Sequence, residues 1–369
     1  MTDLPSRPTY LEVNLPQLKQ NLENIRVNIA PAKVMAVLKA NAYGHGVDGV
    51  APYISPYADY IGVAIVEEGI HLRELGIDKP ILVMGGTLPE QIPAFAQSDL
   101  TLAASSFELL DAAEQVAQAA KKKLKVHLKI DTGMERTGVH EYEAEGFIEK
   151  SLTCRHLDIE GIFTHFANSE SNDLAHAKLQ LERFQEVLNI YEKRSVPHPR
   201  IRHAANSGAI LQLPESHFDM VRPGVMFYGV YPGRDVKKTI EVKPALIWRS
   251  RVVFSKITQP GRPVSYGSLW QSEVPTRIVT IPCGYGDGYF RRMTNRAQVI
   301  VNEKKYPQVG RICMDQFMVN VGNDDAKVGD EVILLGDGIT AEDFADWTGT
   351  NEYEVMTNIS ARVPRVFIK

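Results

Sequence analysis

The sequence predicts an α/β chain with an N-terminal (β/α)8 barrel of the TIM type followed by a C-terminal, mostly β domain. Three observations predict it. Eight short apolar runs, most of them separated by helical segments, follow one another as the strands of a parallel barrel would. Beyond Tyr231 the segment YPGRDVKK breaks that alternation, and strands without long helices follow. The length, 369 residues, exceeds one ordinary core and accommodates a barrel of about 250 residues beside a second domain. The barrel is assigned to 1–235 and the β domain to 236–369; the first strand, near 10–14, is a candidate to pack with the β domain.

Taken in order, Tyr10–Asn14 reads as a short strand, and Asn14 with Pro16 opens a helix carrying Leu18, Leu22 and Ile25 on one face. The run Val34–Leu38 then ends in a lone lysine, Lys39, and spills into the small-residue turn ANAYGHG. Further apolar runs follow at Tyr60–Ile65, Ile81–Met84, Leu100–Ala104, Leu124–Ile130, Ile159–Thr164, Ile201–Ala205 and Phe218–Val221. Counted from the strand of Lys39, these make eight. The clearest helix is expected over Asn172–Tyr191, where Leu174, Ala177, Leu181, Phe184, Leu188 and Tyr191 recur three or four apart. The barrel closes near Arg222–Gly229. In the second domain, ALIWRSRVVFSKI, TRIVTIP, AQVIVN, PQVGRICMDQFMVNV and DEVILLG read as strands, Thr340 with Asp343 as a capping box, and Tyr353–Ile359 as a short helix.

Composition narrows the function. Apolar residues make up 44% and charged ones 23%, as in ordinary globular chains, and a net charge of −4 with dispersed basic residues argues against a nucleic-acid footprint. No apolar run approaches the roughly 20 residues that span a bilayer, and MTDLPSRPTY lacks the basic-then-apolar order of a leader. Cys154, Cys283 and Cys313 fit neither a disulfide framework nor a zinc site, so a reducing cytoplasm is the expected compartment and no metal is expected.

The unusual polar residues fall just after strand ends, which puts them on the C-terminal rim where barrel enzymes build their sites. They are Lys39 and Tyr43 after the first strand, Asp131 and Arg136 after the fifth, His165 after the sixth, Asn206 and Ser207 after the seventh, and Arg222 and Gly224 after the eighth. The loops HAANSGA and RPGV combine a hydroxyl with glycine, as expected of a phosphate site after strands seven and eight. Asn206-Ser207 also reads as an ordinary helix cap.

Together, VMAVLKANAYGHG, KIDTGMERTGV, GIFTHFA, HAANSGA, VRPGVMFYG, VSYG, GYGDGY, GRICMDQ and YEVMTNISARVPR closely resemble bacterial alanine racemase, a fold-type III family dependent on pyridoxal 5'-phosphate (PLP). The likeness covers nearly the whole chain, with nine motifs in the family's order. It implies an isomerase that interconverts L- and D-alanine by two-base proton transfer, with Lys39 as the Schiff-base lysine and one base. Tyr43, Ser207 and Tyr353 would hold the phosphate by their hydroxyls, aided by backbone amides near Ser207, Gly224 and Val225 in loops that include Asn206. Arg136 would donate to the cofactor's phenolic oxygen. Arg222 would face the pyridine nitrogen and, as guanidinium keeps its proton, leave that nitrogen largely unprotonated.

The resemblance assigns the second base to Tyr266, supplied by the partner subunit of a homodimer together with Met314, Asp315 and the Met314 amide near the substrate carboxylate. Free lysine and tyrosine titrate near 10.4 and 10, so both bases need tuning, and His165, backed by Arg222, would tune the tyrosine. Tyr285, with Arg291 and Arg311, would line the substrate's access. Lys129 matches a lysine often carbamylated in the family; a plain lysine paired with a nearby carboxylate is the other reading. Departures from the family pattern are Glu135 and Thr137 in MERTG, Asn168-Ser169-Glu170 after THFA, Asn351 before Tyr353, and GYGDGY. Glu135 is expected to alter the charge balance of Arg136, and Asn351 and Glu170 to admit side chains larger than methyl. A serine-preferring or broad-specificity racemase is therefore the close variant. A barrel-type PLP decarboxylase is disfavoured by Arg222, and a non-catalytic PLP-carrying barrel protein by the β domain.

Overall fold

The computed structural model describes residues 5–369; the first four residues of the segment read above as lacking a leader lie outside that range. The chain divides into two compact units, one of Leu18–Ala42 and Val47–Lys243, the other of the remaining N-terminal segment, Tyr43–Gly46 and Pro244–Lys369.

The first strand, β1 (Tyr10–Asn14), belongs to the second of these. It pairs antiparallel with a strand at Leu246–Arg251 and parallel with one at Arg365–Ile368. After it the Asn14 side chain accepts from the Gln17 N–H at 2.9 Å and starts the helix Leu15–Ile29, whose Leu18, Leu22 and Ile25 are buried as their spacing requires.

The barrel strands are β2 (Lys33–Val37), β3 (Tyr60–Val63), β4 (Ile81–Val83), β5 (Thr101–Ala104), β6 (Leu124–Asp131), β8 (Leu157–Phe163), β9 (Ile201–His203) and β10 (Met220–Val221), with a short β7 (Val139–His140) beside β6. They run parallel in the order β10-β2-β3-β4-β5-β6-β8-β9, the eight runs read from the sequence. Met35, Tyr60, Leu82, Ala103, Phe163, Ile201 and Met220 form one buried cluster, as side chains filling a closed barrel must. The seam between β9 and β10 is closed by single hydrogen bonds in place of a ladder. Asp219 N–H donates to the Arg202 carbonyl at 3.0 Å and Arg222 N–H to the Ala205 carbonyl at 3.0 Å. The Asp219 carboxylate in turn accepts from the Arg202 N–H at 2.8 Å and Nε at 2.7 Å.

The long helix expected from Asn172 begins at Ala175 and runs to Lys193. The Asp173 carboxylate takes the Ala175 N–H at 2.9 Å, a local turn that competes with helix over the preceding residues.

The other unit is a nine-stranded sheet built on β11 (Leu246–Arg251), β12 (Phe254–Thr258), β13 (Thr276–Ile281), β14 (Gln298–Val301), β15 (Lys304–Val309), β16 (Phe317–Gly322), β17 (Glu331–Leu335) and β18 (Arg365–Ile368), in the order β12-β13-β16-β15-β14-β17-β11-β1-β18. Two stretches read as single strands are each broken in two. ALIWRSRVVFSKI divides at Val252-Val253, and PQVGRICMDQFMVNV divides around the loop 310–316, which carries Met314. The hairpin β14-β15 was unread; Asn302 and Glu303, with φ of 46° and 69°, make its two-residue turn. Thr340 and Asp343 form the expected capping box.

Asp219→Asn is expected to loosen the barrel seam by about 1 kcal/mol, since a charge-assisted pair at a partly exposed site is lost. Burial raises the Asp219 pKa, but the Arg202 contacts outweigh it and hold the pKa below the ordinary value. The wild type's advantage should therefore be complete above the ordinary aspartate range and fade as pH falls through the lowered native value. Urea unfolding of both proteins across acidic pH checks this; an advantage that grows on acidification would contradict it.

Candidate active site

Strand β2 delivers Lys39 to the barrel rim, and the backbone then turns left-handed. Ala40, Asn41 and Ala42 have φ of 53°, 54° and 52°, and Tyr43 has φ of 49°. An L-residue in this region costs roughly 1 kcal/mol, so four in succession need compensation. Ala40 N–H donates to Glu68 Oε1 at 2.6 Å, Val47 N–H donates to Asn41 Oδ1 at 2.8 Å, and Ala42 N–H donates to the Leu38 carbonyl at 3.0 Å. The small side chains of ANA limit the clash, and Asn is among the residues that tolerate this region. Lys39 itself is half-buried. Burial first, then the nearby Arg136 charge, lower its pKa, with Glu68 opposing. The charged form is thereby destabilised relative to an exposed lysine.

On β6, His127, Lys129 and Asp131 alternate and are all buried. Asp131 ends the strand and gathers the following loop. Its Oδ1 accepts the N–H groups of Gly133 at 2.9 Å, Met134 at 2.8 Å and Glu135 at 3.2 Å, and its Oδ2 that of Arg136 at 3.1 Å. Burial raises its pKa, but these four donors outweigh it and lower the pKa overall. The nest holds the backbone at Arg136, whose guanidinium is exposed. Glu135, at φ 55°, pairs with His140 Nε2 at 3.1 Å.

Lys129 Nζ lies 4.7 Å from the centre of the Phe163 ring. Among the described residues no carboxylate is within ion-pair distance of it, which excludes the plain lysine–carboxylate pair. Burial and then the Arg222 charge hold its pKa well below the usual value.

Arg222, after β10, is buried and donates only to neutral acceptors. NH1 bonds His203 Nδ1 at 2.9 Å, while NH2 bonds the carbonyls of Thr164 and Ala204 at 2.8 and 2.9 Å and His165 Nδ1 at 3.2 Å. Burial pushes its pKa down to about 9, which leaves it charged near neutrality. Burial and then Arg222 hold the His165 pKa well below the usual value.

Asn206 caps the helix Ser207–Gln212 by accepting from the Ala209 N–H at 3.1 Å, so the cap reading is realised. The buried Ser207 hydroxyl accepts from the Gly224 N–H at 2.9 Å and the Met226 N–H at 3.4 Å, tying the seventh strand's loop to the eighth's. Between them the Val225 N–H has no acceptor among the described residues.

Lys39, Lys129, Arg136, His165, Asn206, Ser207, Arg222, Gly224 and Val225 thus belong to the barrel unit, and Tyr43, Tyr266, Tyr285, Met314 and Tyr353 to the other. Within the latter, the rings of Tyr43 and Tyr353 lie 6.2 Å apart, and burial raises the Tyr43 pKa. Asn351 is the cap of the helix Glu352–Thr357, accepting from Glu354 N–H at 2.9 Å, so its side chain serves to start the helix that carries Tyr353. Tyr285 and Met314 sit on loops joined by Tyr285 N–H to the Cys313 carbonyl at 3.0 Å and Gly286 N–H to the Met314 carbonyl at 2.9 Å. Asp315 pairs with Arg362 at 2.7 Å. Tyr266 is 70% exposed, on a turn fixed by Ser265 Oγ donating to the Arg311 carbonyl at 2.6 Å.

Known proteins match this arrangement over both units. Residues 13–232 match the family described as Alanine racemase, N-terminal domain, and residues 245–367 the one described as Alanine racemase, C-terminal domain. The chain belongs to the alanine racemase family. It is 45% identical to the alanine racemase of Carboxydothermus hydrogenoformans, covering 98% of this chain and 100% of that one. The alanine racemase of Halothermothrix orenii is 40% identical, with 98% and 97% covered. Among solved structures, alanine racemase of Clostridium difficile 630 superposes with a TM-score of 0.94 at 36% identity, covering 99% of this chain and 97% of that one. Another structure of it carries the description "complex with cycloserine".

The structure brings further residues beneath this rim that spacing alone does not single out. His127 and His203 lie beneath Arg222, and Glu160 beyond them. The alternation in KVHLKID, polar at every second residue of a strand otherwise wholly apolar, was the available signal for His127.

Asp131→Asn keeps the shape of the loop's acceptor but removes its charge. Amide exchange of Gly133–Arg136 should quicken by at least about tenfold, with the barrel strands unaffected. Hydrogen–deuterium exchange checks this; unchanged protection of the loop would show that Asp131 does not organise it.

Proposed function

We propose that this protein is a PLP-dependent alanine racemase that interconverts L- and D-alanine, acting as a homodimer with shared sites. The observation that carries the reading is Arg222, a buried guanidinium on the barrel rim whose acceptors are all neutral, on the same rim as Lys39. Family membership supplies the reaction.

The residues present fit the cofactor. Ser207 offers a buried hydroxyl, and the Val225 N–H is a donor without an acceptor among the described residues, a chemistry suited to phosphate oxygens. Lys39, its pKa lowered by burial and Arg136, suits covalent attachment. Asp131, the carboxylate ending β6, is already occupied by four backbone N–H groups and does not compete for an anionic ligand. Tyr43 and Tyr353 would add hydroxyls to the phosphate, Asn206 would hold its loop, Arg136 would donate to the phenolic oxygen, and Arg222 would donate to the ring nitrogen. When bound, PLP supplies the electron sink that acidifies the substrate's Cα–H.

Exchange of that proton between two faces needs two bases. Lys39 would serve one face, as its lowered pKa allows. Tyr266 of the partner subunit would serve the other. Because Arg222 can only donate, His165 Nδ1 must accept, and a neutral His165 then carries its hydrogen on Nε2. That N–H would donate to the phenolic oxygen of Tyr266 and favour its role as a base. The Met314 amide and Tyr285 would meet the substrate. Lys129, buried and held well below its usual pKa, is suited to carbamylation, which would turn the amine into an anion able to orient Arg136.

A homodimer is supported by the sheet edge. Strand β12 exposes Phe254 at 53% and Ile257 at 57%, beside the exposed Tyr266, an apolar edge that calls for cover.

Incubation of the PLP-loaded protein with L-alanine should yield D-alanine until the two are equal, without release of CO2; absence of D-alanine would overturn the reading. Lys39→Ala should abolish borohydride-fixable PLP and lower turnover by at least about a hundredfold. The shared site has its own check. Mixing Lys39→Ala with Tyr266→Phe under subunit exchange should restore activity, because one of the two sites in each hybrid then carries neither substitution. Hybrids verified by mass that stay inactive would place Tyr266 at its own chain's site or outside the chemistry.

A further inference from the structure

Arg222 is buried without a carboxylate in ion-pair contact among the described residues, yet the barrel interior connects it to one. A guanidinium has no acceptor, so the 2.9 Å contact from Arg222 NH1 leaves His203 Nδ1 without a hydrogen. A neutral His203 must then carry its hydrogen on Nε2. That nitrogen is 2.9 Å from His127 Nδ1, which must accept, and so His127 carries its own hydrogen on Nε2. His127 Nε2 makes no hydrogen bond among the described residues, and the carboxylate it faces is Glu160, whose Oε2 lies 3.5 Å away, at ion-pair distance. The same carboxylate oxygen accepts from the Tyr60 hydroxyl at 2.7 Å, and Thr101 Oγ1 lies 2.8 Å from that hydroxyl. The two hydrogen bonds from Arg222 through His203 to His127 run in one direction and leave the last N–H on the side of Glu160.

The row is built into the packing. Gly161, next to Glu160, leaves the space the His127 ring occupies: a Cβ there would lie 2.5 Å from His127 Nδ1. His203 stacks on Phe163 with centroids 4.6 Å apart and planes 8° from parallel. Its far end is anchored by Arg200, which pairs with Asp158 at 2.8 Å and approaches Glu160 at 3.6 Å.

We propose that Glu160 is the remote counter-charge of Arg222, a positioning residue that acts through His127 and His203, fixes both imidazoles as neutral Nε2–H tautomers, and thereby holds the guanidinium in its orientation on the rim. Burial and then Arg222 hold the His203 pKa well below the usual value, and burial lowers that of His127 against the opposing pull of Glu160. Burial would raise the Glu160 pKa, but the donors His127 and Tyr60 bring it down to about 2, so the carboxylate is ionised throughout the working range. A carboxylate directly beside Arg222 would neutralise it and compete for its donors. Two imidazoles transmit the stabilisation while leaving the guanidinium's charge at the rim.

The structural part is independent of the proposed reaction; the kinetic part rests on the reading that Arg222 serves the cofactor. In the PLP-loaded protein labelled with 15N-histidine, His127 and His203 should each show a hydrogen on Nε2 and none on Nδ1. A hydrogen on Nδ1 of either ring, or two on one ring, would overturn the proposal. Glu160→Gln, which keeps the shape and removes the charge, should lower kcat about tenfold with KM little changed. In an Arg222→Lys background the same substitution should cost little more, because the fork it serves is gone. An equal loss in both backgrounds would mean that Glu160 only packs the barrel, and would overturn its link to Arg222. If Glu160→Gln fails to fold, the tautomers of the unaltered protein still decide. Tautomers as expected in a protein that leaves alanine unchanged would sink the proposed function and leave this inference standing.

Discussion

Burying Arg222 is the constraint on which the barrel end depends. A guanidinium removed from water must spend its donors on the protein, and an uncompensated one would cost several kcal/mol. Here the fork reaches the carbonyls of Thr164 and Ala204 and the imidazoles of His165 and His203, so one side chain ties together the ends of β8, β9 and β10. This is also the part of the barrel where the ladder is weakest, since β9 and β10 meet through single hydrogen bonds. The residue that would face the cofactor therefore also helps close the fold. A rim held together in this way cannot easily be re-cut for another function without loosening the barrel.

The turn after Lys39 stores strain beside the reactive amine. Four successive non-glycine residues in the left-handed region persist only because Glu68 and Asn41 capture backbone N–H groups and the side chains at Ala40 and Ala42 are small. The direction in which Lys39 leaves β2 is set by these contacts, so the anchor is rigid even though its own side chain is long. A regular helix here would carry the following residues along a different path, and Tyr43 with them.

The eight strands were legible because each is a short apolar run with turn residues at its ends, and the rim residues because they follow those runs. What escaped notice has physical causes. The left-handed turn was invisible because Ala-Asn-Ala carries no glycine until Gly44, and φ sign is usually announced by glycine. The breaks in the β domain fell inside unbroken apolar runs, where periodicity cannot distinguish one bent strand from two. Glu135 and Asn351 were read for their charge and polarity towards a ligand, whereas His140 and the amide of Glu354 claim them locally. Short polar side chains beside turns and helix starts are often used by the adjacent backbone, and the linear sequence does not display that competition. The roles of Tyr266 and Met314 lay beyond periodicity altogether, and only the family resemblance suggested them.

The rim has a consistent electrostatic character. Lys39, Lys129, Arg136 and Arg222 bring positive charge to one end of the barrel, while Asp131 is occupied by amides and Glu135 is turned towards His140. Burial, and after it the neighbouring cations, lower the pKa of both Lys39 and Lys129, while Arg222 keeps its charge near neutrality. That division serves the chemistry: a neutral lysine can attach and deprotonate, and a permanent cation can bind an anion without exchanging protons. Arg222, buried without a carboxylate in ion-pair contact among the described residues, suits this rim to an anionic ligand. Placing the half-buried carboxylate of Glu160 behind two imidazoles would let the barrel stabilise Arg222 without cancelling its charge at the rim.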